Sequence, residues 1–215
     1  MQSLWHWDLE TYRAIHVGLH RDWLDPFFWV ISTSGLGWVQ VIVALLVPLI
    51  FAGKWVIDRE PDGPGLVRLT LKAAWKRWSN PAYLVAPLLA VILISGLFFT
   101  GIVKNLINRE RPSHLWFAHP QEDVTSRSYP SGHTTTAFAI AFILLFVTWG
   151  TPKRWVGWLV VLWAVLVGFS RVYRGVHWPS DVLGGLFSGL IAASIVYLFM
   201  RRAAAKAEGS GEAVE

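Results

Sequence analysis

The chain has 215 residues, of which 54% are hydrophobic and only 15% charged. Soluble domains carry roughly 25% charged residues. Because the shortage of charge is concentrated in long uncharged stretches, the composition indicates a polytopic membrane protein. The absence of cysteine excludes disulfides and thiolate metal sites. The net charge of +5 comes from basic residues at the ends of apolar runs rather than on one soluble face, so we expect no nucleic-acid partner.

Residues 4–20 are predicted to form an amphipathic helix. Its apolar face at helical spacing consists of Trp5, Leu9, Tyr12, Ile15 and Leu19. Two interpretations are open: the helix packs on the bundle, or it lies in the membrane interface, where tryptophan and tyrosine are favoured. We favour the interface. The segment has acidic residues and no continuous apolar core, so we expect it not to be a cleavable signal peptide.

Five apolar segments are predicted to cross a hydrocarbon core of about 30 Å. They are residues 26–50, 82–103, 132–149, 155–169 and 182–200. The first is expected to start with Asp25 as N-cap and Pro26 at the first helical position. The run from Ser32 to Gly37 interrupts it and predicts a kink or a break. The fourth segment is short unless its polar end continues the helix. The expected fold is therefore an all-α bundle of five to six transmembrane helices with an N-terminal interfacial helix.

The segment from residue 54 to residue 80 is polar and basic. Its four-residue spacing of Arg68, Lys72 and Lys76 fits either a cationic helix on an anionic leaflet or an ordinary solvated helix. Together with the basic residues near 153–154 and 201–206, it predicts a cytoplasmic side. Residues 203–215 are expected to form a disordered tail, which leaves residues 1–202 as one domain.

Three polar clusters lie at the ends of apolar segments. They run from Lys104 to Pro112, from Tyr129 to His133 and from Ser170 to Asp181. The tight turn near residue 150 makes the third and fourth segments antiparallel neighbours. The polar ends of four segments are therefore expected to meet at one membrane face, opposite the basic loops.

The charges of these clusters suit a phosphoryl group, whose transfer spreads negative charge over its equatorial oxygens. Arg111 and Arg171 offer forked donors, and Lys104 offers a point charge. Ser131 and the backbone amide of Gly132 add neutral donors at a helix N-terminus, where the helix dipole also favours an anion.

Two histidines and one carboxylate complete the predicted chemistry. His177 is a candidate nucleophile that would form a phosphohistidine. Asp181, four residues later, can hold one imidazole nitrogen so that the other presents its lone pair. His133 can protonate the leaving oxygen and later deprotonate water.

These clusters resemble the three-part signature of the type-2 phosphatidic acid phosphatase superfamily. In this sequence they read Lys104-x6-Arg111-Pro112, Pro130-Ser131-Gly132-His133 and Ser170-Arg171-x5-His177-x3-Asp181. Every motif position matches. The resemblance implies that the three cations bind phosphate, that the first histidine is the general acid and the second the nucleophile, and that the aspartate orients the nucleophile. It also implies that no metal cofactor is needed.

Four other polar residues lie beside motif positions, and their role has two interpretations. Substrate contact and a scaffold or surface role remain open for Arg109, Glu110, Arg127 and Arg174. We expect Glu122 and Asp123 to be solvated rather than to form a cation site, and the loop histidines lack metal-ligand spacing.

The superfamily that the signature resembles also includes soluble acid phosphatases and vanadium haloperoxidases, but the five apolar segments favour its integral-membrane lipid phosphatases. The expected substrate of this chain is undecaprenyl diphosphate, at the outer face of a bacterial cytoplasmic membrane, and its expected partners are that lipid phosphate and the bilayer. Phosphatidylglycerophosphate or phosphatidate is the alternative substrate. A lipid phosphotransferase, or a transporter or lipid-binding protein with an anion site, are alternatives of other classes.

Overall fold

A computed structural model of the chain describes residues 2–52, 82–124 and 126–211. These residues form helices and connecting turns, with no strand among them. The helices are α1 (Gln2–Arg13), α2 (Asp25–Ser34), α3 (Gly37–Ala52), α4 (Ala82–Leu93), α5 (Gly132–Thr148), α6 (Arg154–Tyr173) and α7 (Pro179–Gly211). The helix α1 continues as a π-helical turn over Ala14–Gly18, and α4 continues through Ile94–Val103 to Leu106. The predicted all-helical class is confirmed.

Helix α5 lies at the centre of the bundle and packs against α4, α6 and α7. Its residues 134–139 are all buried, as expected for a helix that is covered on every side. Two glycines let α7 approach α5 closely. A Cβ at Gly189 would lie 2.7 Å from the backbone nitrogen of Ala139, and one at Gly185 would lie 2.8 Å from the Thr134 Cβ.

The apolar core divides around this helix. One cluster joins α3, α4, α5 and α7, with Val91, Ile143 and Ala192 at its centre. A second joins α5 to α6 through Phe138 and Val167. Outward-facing leucines and phenylalanines on α6 and α7 remain exposed in the isolated chain, which fits helices whose outer faces contact lipid.

The predicted interruption of the first apolar segment is a break between two helices. Helices α2 and α3 are bent by 68° relative to each other. Gly35 lies at this break, where a Cβ would come within 2.6 Å of Val167 on α6. The predicted N-cap is not formed: α2 begins at Asp25, whose carboxylate instead accepts a hydrogen bond from the Tyr173 hydroxyl at 2.8 Å.

Within the described residues, three helices are long and apolar enough to cross a membrane. They are Val85–Leu106, Arg154–Tyr173 and Pro179–Ala203, and the bent α2–α3 pair makes a fourth candidate. Helix α5 is also apolar but, at 17 residues, is shorter than each of these three helices. The number of five to six spans therefore stays a prediction. The fourth predicted segment is indeed extended by its polar end, since α6 reaches Tyr173.

One predicted segment ends at a different residue in the structure, and another lies outside the described residues. Helix α7 does not end at Met200 but continues to Gly211, because the alanines at 203–205 favour helix; the predicted tail thus begins as helix. The predicted cationic helix at 54–80 lies outside the described residues.

The N-terminal helix packs on the bundle at the polar end of α6 and α7. Tyr12 is fully buried, and its ring centroid lies 5.4 Å from that of Trp178. The His16 Nδ1 lies 2.7 Å from the Tyr173 carbonyl oxygen, and His16 Nε2 accepts the amide of His119 at 2.9 Å. Leu4 and Trp7 stay exposed, so the packed helix still has an apolar outer face suited to the membrane interface.

Candidate functional site

The candidate site lies where α5 begins, α6 ends and α7 begins. The Ser131 amide donates to the Asp181 carbonyl at 3.2 Å, which joins the starts of α5 and α7. The loop after α4 closes over this end, because the Ser128 amide donates to the Arg109 carbonyl at 2.9 Å and the Gln121 amide to the Arg174 carbonyl at 3.1 Å. The three polar clusters of the sequence therefore meet at one end of the bundle.

His177 and Asp181 are adjacent and both almost fully buried. The His177 Nδ1 lies 3.3 Å from the Asp181 Oδ2. On the other side of the ring, the Nε2 lies 3.2 Å from an Arg111 guanidinium nitrogen, which can only donate. Nδ1 therefore carries the proton and Nε2 presents its lone pair toward Arg111. Burial lowers the pKa of His177 below its ordinary value and keeps the imidazole neutral, although Asp181 acts in the opposite direction.

Asp181 is fixed by its position in the first turn of α7. Pro179 starts this helix, a position that proline favours. The Asp181 Oδ2 accepts the backbone amide of Trp178 at 2.9 Å, which is the reciprocal half of a capping box. The Ser128 hydroxyl also donates to the same oxygen. The orientation of the His177 partner thus follows from how the helix begins.

Arg111 is buried and held by the surrounding backbone. Its guanidinium donates to the carbonyl oxygens of Ser126 and Val176, both at 2.6 Å. Burial, followed by the nearby charge of Arg171, lowers the pKa of Arg111 to about 10, so the group is still charged at neutral pH. Arg111 is a fixed cation next to the candidate nucleophile.

Arg171 is paired with the carboxylate of Glu122, for which the sequence predicts contact with solvent. Its two terminal nitrogens bind the Glu122 oxygens at 2.7 and 2.9 Å, the two-pronged geometry that a phosphate would also take. One of these nitrogens donates to the Ser32 hydroxyl as well, and the buried Nε has no partner among the described residues. The expectation of a solvated Glu122 was therefore wrong.

Glu122 also binds Arg174. The Arg174 Nε donates to the Glu122 Oε1 at 2.9 Å. Burial opposes the charge of this carboxylate, but its hydrogen bond and ion pairs with Arg171 and Arg174 prevail and lower the pKa of Glu122 to about 2. Two guanidinium groups thus share one carboxylate.

The remaining motif residues line the start of α5 and the end of α4. Ser131 is fully buried, and its hydroxyl accepts from Thr134 at 2.9 Å. A Cβ on Gly132 would lie 3.0 Å from the Thr100 Cγ2, so the glycine brings α5 close to α4. His133 and Lys104 are half-buried.

Sequence reasoning missed several residues of this centre. Besides Glu122, they are Ser32 at the α2–α3 break, Ser128 beside Asp181, and Asp8 in α1. Of these residues, only Asp8 could have been identified from the sequence, because it is a carboxylate on the same helical face as Trp5 and Tyr12. Arg109, left open between substrate contact and scaffold, binds Asp8 and Asp181.

Comparison with known proteins identifies the family. The sequence model of the PAP2 superfamily matches residues 84–205. The chain is 45% identical over 109 residues to the undecaprenyl-diphosphatase BcrC of Bacillus subtilis, covering 50% of this chain and 52% of that protein. It is 35% identical over 175 residues to a lipid A 1-phosphatase of Rhizobium etli, covering 76% of this chain and 68% of that protein.

A solved structure shares the fold. The crystal structure of Aquifex aeolicus LpxE superimposes with a TM-score of 0.64 at 26% identity, covering 88% of this chain and 93% of that one. The chain spans about half the length of several curated relatives that it matches. Because the family model covers more than half of the sequence and the Rhizobium relative is matched over two thirds of its length, the chain belongs to the PAP2 superfamily.

Proposed function

We propose that this protein is a membrane phosphatase that releases inorganic phosphate from a polyprenyl diphosphate, undecaprenyl diphosphate, through a phosphohistidine at His177. The observation that carries the proposal is the orientation of the His177 ring. Its Nδ1 faces Asp181 at 3.3 Å, and its Nε2 faces the Arg111 guanidinium at 3.2 Å. A neutral imidazole whose lone pair points at a fixed cation is arranged to attack an anion held by that cation.

The reaction follows in two steps. The His177 Nε2 bonds to the terminal phosphorus while the bond between phosphorus and the bridging oxygen breaks, and His133 gives its proton to that oxygen. Water then attacks the phosphorus while its bond to the His177 Nε2 breaks, His133 takes up a proton from the water, and inorganic phosphate leaves. Arg111, Arg171 and Lys104 offset the equatorial charge in both steps, so turnover needs no divalent ion and is expected to persist in EDTA.

The preference for a diphosphate is supported by the pairing of Glu122. A phosphate that binds Arg171 replaces Glu122, and Arg174 then loses the same partner. Two guanidinium groups become available together, which suits a substrate with more than one phosphoryl group. Arg109 is not available for a second phosphoryl group, because its guanidinium is already bound to two carboxylates.

The lipid chain is proposed to reach the site from the bilayer surface. Trp116 is 88% exposed on the loop above the site, and an exposed tryptophan is favoured at a membrane interface. Trp178 does not line this entrance, because it is buried beneath Trp5 and Tyr12. We place the protein in a bacterial cytoplasmic membrane with the site on the outer side, as the basic loops suggest.

Phosphate release in detergent tests the proposal. The purified chain is compared on undecaprenyl diphosphate, phosphatidylglycerophosphate and phosphatidate, with lipid products analysed to separate hydrolysis from phosphotransfer. We expect the highest kcat/KM for undecaprenyl diphosphate, and a tenfold preference needs only about 1.4 kcal/mol. A preference for a glycerophospholipid phosphate would contradict the substrate, and phosphorylated lipid acceptors would contradict hydrolysis.

The nucleophile is tested in the same assay. His177→Ala is expected to abolish turnover, whereas His114→Ala, a substitution of an exposed histidine on the loop after α4, should retain it. Acid-labile, base-stable phosphate should be trapped on the parent chain and not on His177→Ala. Near-parental activity of His177→Ala would overturn the mechanism.

A further inference from the structure

A buried carboxylate in the N-terminal helix reaches the start of α7. Asp8 is fully buried, and a buried charge is costly unless it is paired and hydrogen-bonded. Its Oδ1 accepts the backbone amide of Ser180 at 2.8 Å, and its Oδ2 accepts the Ser180 hydroxyl at 2.6 Å. Asp8 thereby supplies, from 172 residues away, an acceptor for the N-terminus of the helix that bears Asp181.

Arg109 connects Asp8 to Asp181. One terminal nitrogen of its guanidinium binds the Asp8 Oδ2 at 2.5 Å, and the other binds the Asp181 Oδ1 at 2.7 Å. The second nitrogen also donates to the Ser180 hydroxyl at 2.6 Å, and the guanidinium lies 5.5 Å from the Trp178 ring centroid. Both ends of the fork are thus engaged by protein groups, which leaves Arg109 poorly placed to bind a phosphate.

The two carboxylate oxygens of Asp181 consequently bind different groups. The Oδ1 is held by Arg109, whereas the Oδ2 faces the His177 Nδ1 and accepts the Trp178 amide. Rotation of the carboxylate about its last torsion would exchange or misalign the oxygens. Arg109 opposes that rotation, because an ion pair on Oδ1 fixes the plane of the group.

We infer that Asp8 and Arg109 are positioning residues that hold Asp181, and through it the His177 imidazole, in the reactive orientation. The inference rests on the proposed function, in which the His177 Nε2 attacks phosphorus. Arg109 lies within the first motif but is not one of its defined positions, and Asp8 lies outside the motifs. Neither residue touches the candidate phosphate-binding fork of Arg171. The N-terminal helix is therefore part of the catalytic centre and not only a membrane anchor.

Other contacts of the N-terminal helix support this role. The Trp5 ring centroid lies 5.0 Å from that of Trp178, and the Tyr12 hydroxyl donates to the Gly175 carbonyl at 3.4 Å. Gly175 has a φ of 76°, and a Cβ there would lie 2.7 Å from the His16 ring. The segment that precedes His177 is thus held against α1 along its length, which keeps Asp8 in register with Ser180 and Arg109.

Kinetics of four variants test the inference. Asp8→Asn, Arg109→Ala and their double variant remove the link, and Arg109→Lys keeps its charge. Glu10→Gln is the matched control, since it neutralises an exposed carboxylate of the same helix. Circular dichroism and apparent Tm establish which variants are folded. We expect kcat to fall about 10- to 100-fold for Asp8→Asn and Arg109→Ala, with KM and vanadate inhibition changed by less than about threefold.

Coupling between the two residues is part of the expectation. The double variant should be no slower than Arg109→Ala, because both substitutions break one chain of contacts, and Arg109→Lys should recover part of kcat. Additive losses of kcat in the double variant would overturn the inference. A raised KM and weakened vanadate inhibition at unchanged kcat would also overturn it and would make Arg109 a phosphate ligand.

A second readout does not depend on turnover. The tautomer of His177 is measured by nitrogen NMR on selectively labelled protein in detergent, with its signals assigned by their loss in His177→Ala. The parent and Glu10→Gln should show the proton on Nδ1, whereas Arg109→Ala should show a mixture of tautomers. If the parent chain releases no phosphate but the His177 tautomer still changes in Arg109→Ala, the proposed function fails and the positioning role stands. An unchanged tautomer in Arg109→Ala overturns the positioning role, whatever the activity.

Discussion

Glu122 binds Arg171 through both carboxylate oxygens, at 2.7 and 2.9 Å, in the geometry in which Arg171 is proposed to bind phosphate. The same carboxylate accepts from Arg174 at 2.9 Å. A substrate phosphate at Arg171 therefore has to replace an internal anion. Glu122 lies on the loop between the first two motifs, so it can leave Arg171 without movement of a transmembrane helix.

Replacing this internal anion should tighten substrate binding. Glu122→Gln removes the competing charge but keeps the size of the side chain. We expect KM and the vanadate inhibition constant to fall roughly threefold to tenfold, equivalent to about 1 kcal/mol, in phosphate-release assays at neutral pH. Asp123→Asn, which neutralises the exposed neighbouring carboxylate, should change neither constant. A higher KM for Glu122→Gln would mean that Glu122 keeps Arg171 in place for the substrate.

The same ion pairs predict a pH dependence of stability. The pKa of Glu122 is lowered from 4.5 to about 2, so its ionised form is stabilised by folding. This contribution is fully present above the unfolded pKa near 4.5 and is lost as the pH falls through about 2. The apparent Tm of the parent should exceed that of Glu122→Gln by a constant amount above pH 5. That difference should shrink steadily toward pH 2, and a difference independent of pH would contradict the assignment.

His133 is expected to act on the leaving group and on water. His133→Ala should lower kcat by about 10²- to 10⁴-fold, the usual contribution of general acid–base catalysis, while vanadate still binds. With an activated substrate that needs little protonation of its leaving group, the first step should be less affected than hydrolysis of the phosphohistidine. Phosphorylated His177 should then accumulate and be detectable by radiolabel or mass spectrometry. Equal slowing with all leaving groups and no accumulation would contradict this role.

The side of the membrane on which the site lies can be read from thiol labelling. Cysteine introduced at exposed Asp123 should react with an impermeant reagent from outside intact cells, and cysteine at exposed Arg154, at the other end of α6, should not. The natural chain has no cysteine, so no background has to be removed. The reverse pattern would place the site on the cytoplasmic side.

Much of the helical layout could be predicted because apolar run length reports directly on membrane-crossing helices. Both ends of α5 and the start of α6 follow from Gly132 after a polar loop and from the turn near Gly150. The pairing of His177 with Asp181 could also be anticipated, since the two are four residues apart at the start of a helix. The continuation of α7 beyond Met200 differs from the prediction, because the alanines at 203–205 favour helix although the segment is composed of small and charged residues.

The sequence by itself determined the membrane-type bundle, the three polar clusters and their meeting at one end, since antiparallel neighbours bring alternate segment ends to the same face. Only the tertiary structure decided which charge binds which. Arg171 binds Glu122, which is 49 residues away in the sequence, and Arg109 binds Asp8, which is 101 residues away. Arg171 also binds Ser32, which is 139 residues away. The physical reason is that helical periodicity acts over three or four residues, whereas partners across loops and between helices are set by how the helices pack. Motif spacing thus predicts which residues reach the site, and packing decides which of their polar atoms are already occupied there.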